Sequence, residues 1–397
     1  MKKILYYSVF ILFFLKNSAF SIESDSLILS GCVSQGFLKT TEYNYLSPDS
    51  KEGTYKFGEG LMNISYLPYD NLRVGMSIAY RRLGAIGENA PYINWAIGDY
   101  SFRKWLSFRV GIMKAPLGFY NETRDMDQFR TSVVLPFGVY RETLRDYYDK
   151  ISGACFYGLF SNQYLGSLKY QASVGTQKKD LNSGATRTFQ DGLKRRFPSG
   201  VKISDIEEDN GIYNIDLSWQ TPIRGLQLKY TFHDTGDTNL TLKADMLTTD
   251  VIYSMKNNHT QTIGARFIFE NFMIEGEYLD CILDTTGYVG STPLFKNDYI
   301  EFLGSYVNTT YRFAPWLEAG FYFSRFELMG IKTYHDGRDM NEYCFSLRFD
   351  LAENVIFKLE AHQFIRVCDE PLLLDNPGNY GSEDKWMMFA SKITLSF

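Results

Sequence analysis

Closely spaced charges between residues 114 and 150 are the side chains best suited to chemistry in this chain. Arginines and carboxylates are balanced and closely spaced along this segment, which also begins with a lysine. Charges of both signs can select ions where they line a narrow passage, or they can pair with one another and hold the segment in place. Both interpretations stay open. The candidate residues are Lys114, Glu122, Arg124, Asp125, Asp127, Arg130, Arg141 and Arg145, together with Arg73, Arg81 and Arg109 from earlier in the chain.

The same segment is rich in apolar side chains, which include Phe119, Tyr120, Leu135 and Phe137. A connection of this length without regular structure is usually functional or disordered. Because a solvated outer loop has no use for so many apolar residues, disorder is disfavoured. We therefore expect residues 114–150 to fold inward and to pack against the wall of the protein.

The elements that hold this loop have a period of two. Between residues 71 and 82, apolar residues take every second position, and Arg73 and Arg81 share the opposite face. Two arginines in a dry core would be very costly, so that face must be wet. The alternation recurs at 167–174, 213–219, 226–233 and 345–351. The pattern predicts strands with one face toward lipid and the other lining a water-filled lumen.

Connections between these strands predict the topology. Seven short turns alternate with eight longer polar segments. The turns lie near residues 67–70, 102–104, 161–163, 222–225, 270–272, 314–316 and 352–354. The longer segments lie near residues 40–53, 83–91, 114–150, 177–210, 234–259, 284–298, 328–341 and 367–384. We predict an all-β fold: a transmembrane antiparallel β-barrel of sixteen strands, with the inward loop after strand five. Fourteen or eighteen strands are the alternatives. The last strand, ending on Phe397, should close against the first, near residues 27–37, because only a closed sheet leaves no unpaired edge in lipid.

The first residues indicate export. Lys2 and Lys3 precede an apolar stretch over residues 4–15, and small residues follow at Ala19 and Ser21. This is the pattern of a signal peptide, predicted as residues 1–21, with cleavage after Ala19 as the alternative. The apolar stretch is too short for a transmembrane helix, which needs about 20 residues. Residues 22–397 should therefore form a barrel in the lipid of a bacterial outer membrane.

Composition argues against several functions. The net charge of −5 disfavours nucleic-acid binding, which needs a basic face. The 5 cysteines and 4 histidines are scattered, so we expect no disulfide framework, no metal site and no cofactor. No hydrolase motif accompanies His233 or His362, so an enzyme is not expected. A barrel that displays loops such as 177–210, as an adhesin or receptor, remains an alternative, as does a barrel enzyme.

One region resembles a known family. Residues 109–118 (RVGIMKAPLG), followed by Tyr120-Asn121-Glu122, Arg124-Asp125, Leu135-Pro136 and Tyr140, are similar to the phosphate-selective (porin O and P) group of Gram-negative outer-membrane porins. The resemblance implies a homotrimeric channel for passive diffusion of small hydrophilic solutes and ions. Phosphate specificity is not carried over, because the arginine ladder and lysine ring of that group are not matched. Inward basic residues on the early strands suggest a weak anion preference.

Overall fold

The computed structural model describes residues 23–24, 26–84, 87, 89–196, 201–209, 211–244, 249–329, 339–366 and 384–397. The predicted signal peptide, residues 1–21, lies outside these ranges, as does Cys368. In chain order the strands are β1 (Glu23–Ser24), β2 (Leu27–Thr40), β3 (Thr54–Tyr69), β4 (Leu72–Leu83), β5 (Pro91–Arg103), β6 (Leu106–Lys114), β7 (Lys150–Asn162), β8 (Gly166–Thr176), β9 (Val201–Asp209), β10 (Ile212–Gln220), β11 (Leu226–Asp234), β12 (Asp237–Ala244), β13 (Val251–Phe269), β14 (Phe272–Val289), β15 (Thr292–Ala314), β16 (Leu317–Met329), β17 (Asp339–Ala352), β18 (Val355–Ile365) and β19 (Lys385–Ser396). The helices are the 3-10 turns Asn121–Thr123 and Asp127–Phe129 and the α-helices Arg145–Tyr148 and Gly184–Arg196.

Sixteen of these strands form a closed antiparallel barrel. Pairing runs in sequence from β2 to β8, then through β10, β11 and β13 to β19, and β19 pairs with β2. The seam extends from Met388 opposite Thr40 to Ser396 opposite Cys32. Beyond it, the backbones of Phe397 and Gly31 exchange two hydrogen bonds, each 2.9 Å long. The predicted sixteen-stranded barrel, closed by its last strand, is confirmed.

Exposure along the strands is the reverse of that in a soluble protein. Apolar side chains on the outer face are open, with Val74 50% and Ile263 61% exposed, whereas Lys358 and Lys392 on the inner face are 1% and 2% exposed. A closed antiparallel barrel with an apolar exterior is the architecture of proteins that span bacterial outer membranes. The chain is accordingly an outer-membrane barrel. Among the described residues, no helix combines the length and apolar character needed to cross a membrane.

Three segments predicted as long loops contain more strand than expected. Within 177–210 and 234–259, β9 and β12 pair with each other, and β12 also pairs with β13. Residues 284–298 form the ends of β14 and β15, joined by a tight turn after Val289. One face of β9 and β12 is apolar, since Val201, Ile203, Leu240 and Leu242 are buried in a cluster with residues of the connection between β6 and β7. Each of these strands offers few apolar positions among many polar ones, so the period-two signal is weak. A register shift between Lys256 and His259 further obscures the start of β13.

The buried apolar clusters lie inside the barrel, between the wall and the connection that joins β6 to β7. We call this connection, residues 115–149, the lumen loop. Val133 and Phe137 of the lumen loop pack with Phe326, Phe364 and Trp386 of the wall. A second cluster joins loop residues Leu117, Tyr120 and Tyr140 to Leu279 and Tyr306. The inward-folded loop after the fifth barrel strand is therefore confirmed.

Candidate functional site

The lumen loop turns into the barrel immediately after β6. Asn214 of β10 donates a 2.8 Å hydrogen bond to the carbonyl of Pro116. Gly118 then adopts φ +56°, and a Cβ at this position would clash with the Glu277 carboxylate and the Tyr140 hydroxyl. Only glycine combines this backbone conformation with such a close approach. Pro116 and Gly118 therefore direct the chain from the wall across the lumen.

A buried ion cluster closes the base of the loop. Lys114, at the end of β6, bridges Asp125 at 2.8 Å and Asp149 at 2.5 Å. Arg145 pairs with Asp125 as well. The side-chain amide of Asn121 donates 2.7 Å hydrogen bonds to the carbonyls of Ala115 and Tyr148, at the two ends of the loop. The structure thus brings together three of the predicted site residues, Lys114, Asp125 and Arg145, in an ion cluster that holds the two ends of the loop together.

Carboxylates of the opposite wall accept hydrogen bonds from the loop backbone. The N–H groups of Phe119, Val134 and Phe137 donate to Glu277, Glu360 and Glu342, at 2.7, 3.0 and 3.0 Å. Charge-assisted bonds of this kind are stronger than those between neutral groups. These contacts attach the loop along β14, β17 and β18, so the loop spans the lumen. Further donors from the loop reach Thr231, Thr262 and Ser324 on β11, β13 and β16.

Glu142 of the lumen loop pairs with two of the predicted arginines. It lies 2.7 Å from Arg81 of β4 and 2.8 Å from Arg124, and both guanidinium groups are 3% exposed. Burial alone would raise the pKa of Glu142, but the charges of Arg124 and Arg81 hold that pKa below its usual range. Arg141 instead lies over the rings of Phe302 and Phe326, at 4.7 and 4.9 Å. These arginines are thus buried within the loop and its contacts.

Asp127 forms a second ion cluster near the barrel seam. It lies 2.8 Å from Lys392, 3.1 Å from Arg130 and 3.8 Å from Lys358. The hydroxyl of Thr394 also donates to it at 2.7 Å. Burial alone would raise the pKa of Asp127, yet Lys392, Lys358 and Arg130 together hold it well below its usual range. Sequence reasoning missed Lys358 and Lys392 as partners of Asp127. The alternation along β18 and β19 indicates only that their side chains point into the barrel, and it does not indicate what they contact.

The remaining predicted site residues lie apart from these clusters. Arg109 on β6 donates to Asp99 at 2.9 Å and lies over the ring of Tyr157. Arg73 on β4 lies over the ring of Trp95, 5.4 Å from its centroid. Glu122 is half-buried. The structure therefore distributes the predicted residues between buried loop clusters and single positions on the early wall.

Sequence reasoning also missed a cluster on β17 and β18. Cys344, Glu360 and His362 lie together on the inner face, although the scattered cysteines and histidines had indicated no such cluster. Glu342 bonds the far side of the His362 ring at 2.8 Å. The order thiol, imidazole, carboxylate is that of a nucleophilic active site. However, Cys344 and His362 are 0% exposed, which leaves no room for an organic substrate.

Comparison with known proteins gives a fold-level match. No protein-family model matches the sequence, and no curated protein does either. Among solved structures, Salmonella typhi OmpF in complex with daunomycin matches with a TM-score of 0.58 at 12% identity, covering 94% of this chain and 97% of that one. An anion-selective porin from Comamonas acidovorans matches at 0.56 and 8% identity, covering 94% and 99%. The trimer form of OmpT, an outer membrane protein of Vibrio cholerae, matches at 0.54 and 11% identity, covering 94% and 99%. At these identities the likeness shows a shared fold, that of Gram-negative outer-membrane porins.

Proposed function

We propose that this protein is a porin: a water-filled channel for passive diffusion of small hydrophilic solutes and ions. The observation that carries the proposal is the lumen loop, which crosses a sixteen-stranded barrel and is attached to both walls. A loop in this position sets the narrowest section of the lumen, where size and charge decide what passes. The likeness to porin structures supports the same function at the level of the fold.

Charged side chains on the inner faces of the early strands are accessible to water. Arg73 of β4 and Arg109 of β6 are half-buried, and Lys169 of β8 is exposed. The loop backbone, in contrast, bonds the later strands. We therefore infer that the water-filled passage follows the wall formed by β2–β8.

The lumen charges favour weak ion selectivity, with a lean toward anions. Most wall cations have a carboxylate beside them, such as Lys229 with Asp216 at 3.1 Å and Arg266 with Glu275 at 2.6 Å. Such pairs leave little net field along the passage. Lys169 is exposed on β8, and Arg73 lies on an aromatic ring, so these two cations are the ones we expect solutes to meet.

Conductance of the refolded barrel in planar bilayers tests the function. We expect stable steps in KCl and a reversal potential in a salt gradient that indicates weak anion preference. Lys169→Gln should move this potential toward zero, whereas Lys56→Gln, a change in an exposed cation outside the lumen, should leave it unaltered. A folded barrel that never conducts would refute the channel and favour a loop-displaying adhesin or receptor. A cation-selective wild type would refute the anion lean alone.

We further propose that the barrels assemble as homotrimers in outer-membrane lipid. The trimer form of the Vibrio cholerae protein, which shares the fold, supports this assembly. Mass measurement by light scattering in detergent, with the detergent contribution subtracted, tests it. A mass three times that of one chain is expected. A monomer that conducts would refute the assembly while leaving the channel intact.

A further inference from the structure

Side chains of three metal-binding types meet on the inner wall, behind the lumen loop. Cys344 of β17 lies opposite His362 of β18, and Glu360 shares the inward face with His362, two positions away. Cys344 Sγ lies 3.8 Å from His362 Nε2 and 3.3 Å from Glu360 Oε1. His362 Nε2 lies 3.2 Å from Glu360 Oε2. We propose that Cys344, Glu360 and His362 bind a transition-metal cation of the zinc class.

The spacing of the ligand atoms fits such an ion. With zinc–sulfur bonds of about 2.3 Å and zinc–nitrogen or zinc–oxygen bonds of about 2.0–2.1 Å, tetrahedral ligand atoms lie about 3.3–3.6 Å apart. The Sγ–Nε2 separation of 3.8 Å exceeds that range by about 0.2 Å, and Glu360 presents Oε1 to Sγ at 3.3 Å and Oε2 to Nε2 at 3.2 Å, so a small turn of its carboxylate places one oxygen on the ion. Little backbone movement is therefore needed to admit the ion. A mixed set of sulfur, nitrogen and oxygen ligands suits Zn²⁺, whereas Ca²⁺ and Mg²⁺ prefer oxygen alone.

Glu342 orients the histidine for this role. Its Oε1 lies 2.8 Å from His362 Nδ1 and accepts a 2.8 Å hydrogen bond from the Tyr322 hydroxyl. When the ion is bound, the carboxylate at Nδ1 favours the proton on that nitrogen. Nε2, which donates to Glu360 at 3.2 Å in the metal-free protein, releases its proton to solvent and offers its lone pair to the ion. Metal-binding histidines usually have such a partner on the second nitrogen. Glu342 is therefore a positioning residue for the proposed site.

The site is coupled to the lumen loop through Glu360. Oε2 of this carboxylate accepts the Val134 N–H at 3.0 Å, and Oε2 of Glu342 accepts the Phe137 N–H at the same distance. An ion bound to Glu360 competes with Val134 for that oxygen, and the Cys344 thiol releases its proton to solvent as it becomes a ligand. Metal binding should therefore loosen the contact between loop and wall at β18.

Cobalt spectroscopy of the full barrel tests the site independently of conductance. Metal-stripped folded protein in detergent, kept reduced, is titrated with Co²⁺. We expect one equivalent to bind with a near-ultraviolet thiolate-to-cobalt charge-transfer band, and Zn²⁺ to displace it. Cys344→Ser and His362→Gln should abolish the band, and Glu342→Gln should weaken binding about 10- to 100-fold. Cys155→Ser, which changes another buried inward cysteine, should bind like the wild type.

Folding of each variant is verified by circular dichroism before titration. A band that persists in Cys344→Ser would assign the metal to another cysteine and overturn the proposal, as would folded wild type that binds no cobalt. If Cys344→Ser does not fold, Glu360→Gln provides the test, because its amide oxygen can still accept the Val134 N–H. Wild-type cobalt affinity in Glu360→Gln would equally overturn the proposed site.

Discussion

Replacing Asp127 with asparagine should release the lumen loop. The Asp127 carboxylate lies among Lys392, Arg130 and Lys358, at 2.8, 3.1 and 3.8 Å, and its side chain is 4% exposed. Asparagine keeps the shape of the side chain and an oxygen that can accept from Thr394. It removes the negative charge, however, and leaves Arg130, Lys358 and Lys392 together in a poorly hydrated site, where Glu59 still pairs with Lys392.

The magnitude follows from burial. Removing one partner of a buried ion pair costs about 3–5 kcal/mol, because the remaining charge is left uncompensated. The side chain of Asp127 takes no part in the backbone pairing of the barrel, so the cost should fall on the attachment of the loop. At about 1.4 kcal/mol per factor of ten, the equilibrium constant for loop opening should rise between about 100-fold and a few thousand-fold.

Alkylation of Cys32 measures this opening. Cys32 lies on the inner face of β2, is 7% exposed, and packs against Met126 of the loop. Its alkylation rate, measured on its own peptide by mass spectrometry, should rise at least about 100-fold in Asp127→Asn, since the reagent reaches only the open form. The control is Asp49→Asn, which removes a surface ion pair with Lys56 whose side chains are 38% and 47% exposed. Exposed pairs contribute about 0–1 kcal/mol, so this variant should alkylate at nearly the wild-type rate. Similar Cys32 rates in Asp127→Asn and Asp49→Asn would refute the assignment of Asp127 as an anchor.

Three further predictions concern charge and closure. Glu142→Gln leaves Arg81 and Arg124 without their shared carboxylate, so the reversal potential in a salt gradient should shift toward anions; an unchanged potential would mean that these arginines do not influence the passage. The folded-state pKa values of Asp127 and Glu142 lie below their usual range, so the stabilisation they provide is complete above their unfolded values, near about pH 4, and is lost as pH falls through the lower folded values. The destabilisation of Glu142→Gln relative to the wild type, measured from unfolding, should therefore be constant from about pH 7 to 5 and shrink only below about pH 4; a difference that changes near neutral pH would contradict this assignment. In Gly31→Ala the new Cβ would clash with the Leu61 carbonyl and the Phe397 ring, whereas in Gly60→Ala it meets nothing closer than 3.9 Å. Only Gly31→Ala should therefore lower the free energy of unfolding, by about 1–3 kcal/mol, and with it the unfolding temperature.

The barrel could be predicted because each membrane strand separates lipid from a wet lumen. That contrast gives a period of two, as in β4, where Arg73 and Arg81 alternate with apolar residues. The signal is weak in β9, β12 and the ends of β14 and β15, where polar residues predominate and the pairing registers shift, so these segments were not predicted as strands. Loop partners could not be predicted, because Arg81 and Glu142 are 61 positions apart and meet only through the closure of the barrel.

The Cys344 cluster is an intermediate case. Cys344 and His362 flank the predicted turn at 352–354 and have the same inward phase, so a register drawn from that turn would have paired them. The pair matches no sequential metal motif, because the two residues are neighbours across a hairpin and lie 18 positions apart in sequence.

We propose that attachment and selectivity are carried by different residues in this barrel. The wall carboxylates Glu277, Glu342 and Glu360 bond the loop backbone, and the loop arginines are buried beside partners or aromatic rings. Because backbone donors are the same for every residue type except proline, these anchors tolerate change in most loop side chains. Under the proposed channel function, solute preference depends on the more accessible wall cations such as Lys169, whose replacement should leave the loop attachment intact. We therefore expect that ion selectivity can be altered in this fold at little cost in stability, whereas a change at Glu277 or Asp127 should alter both.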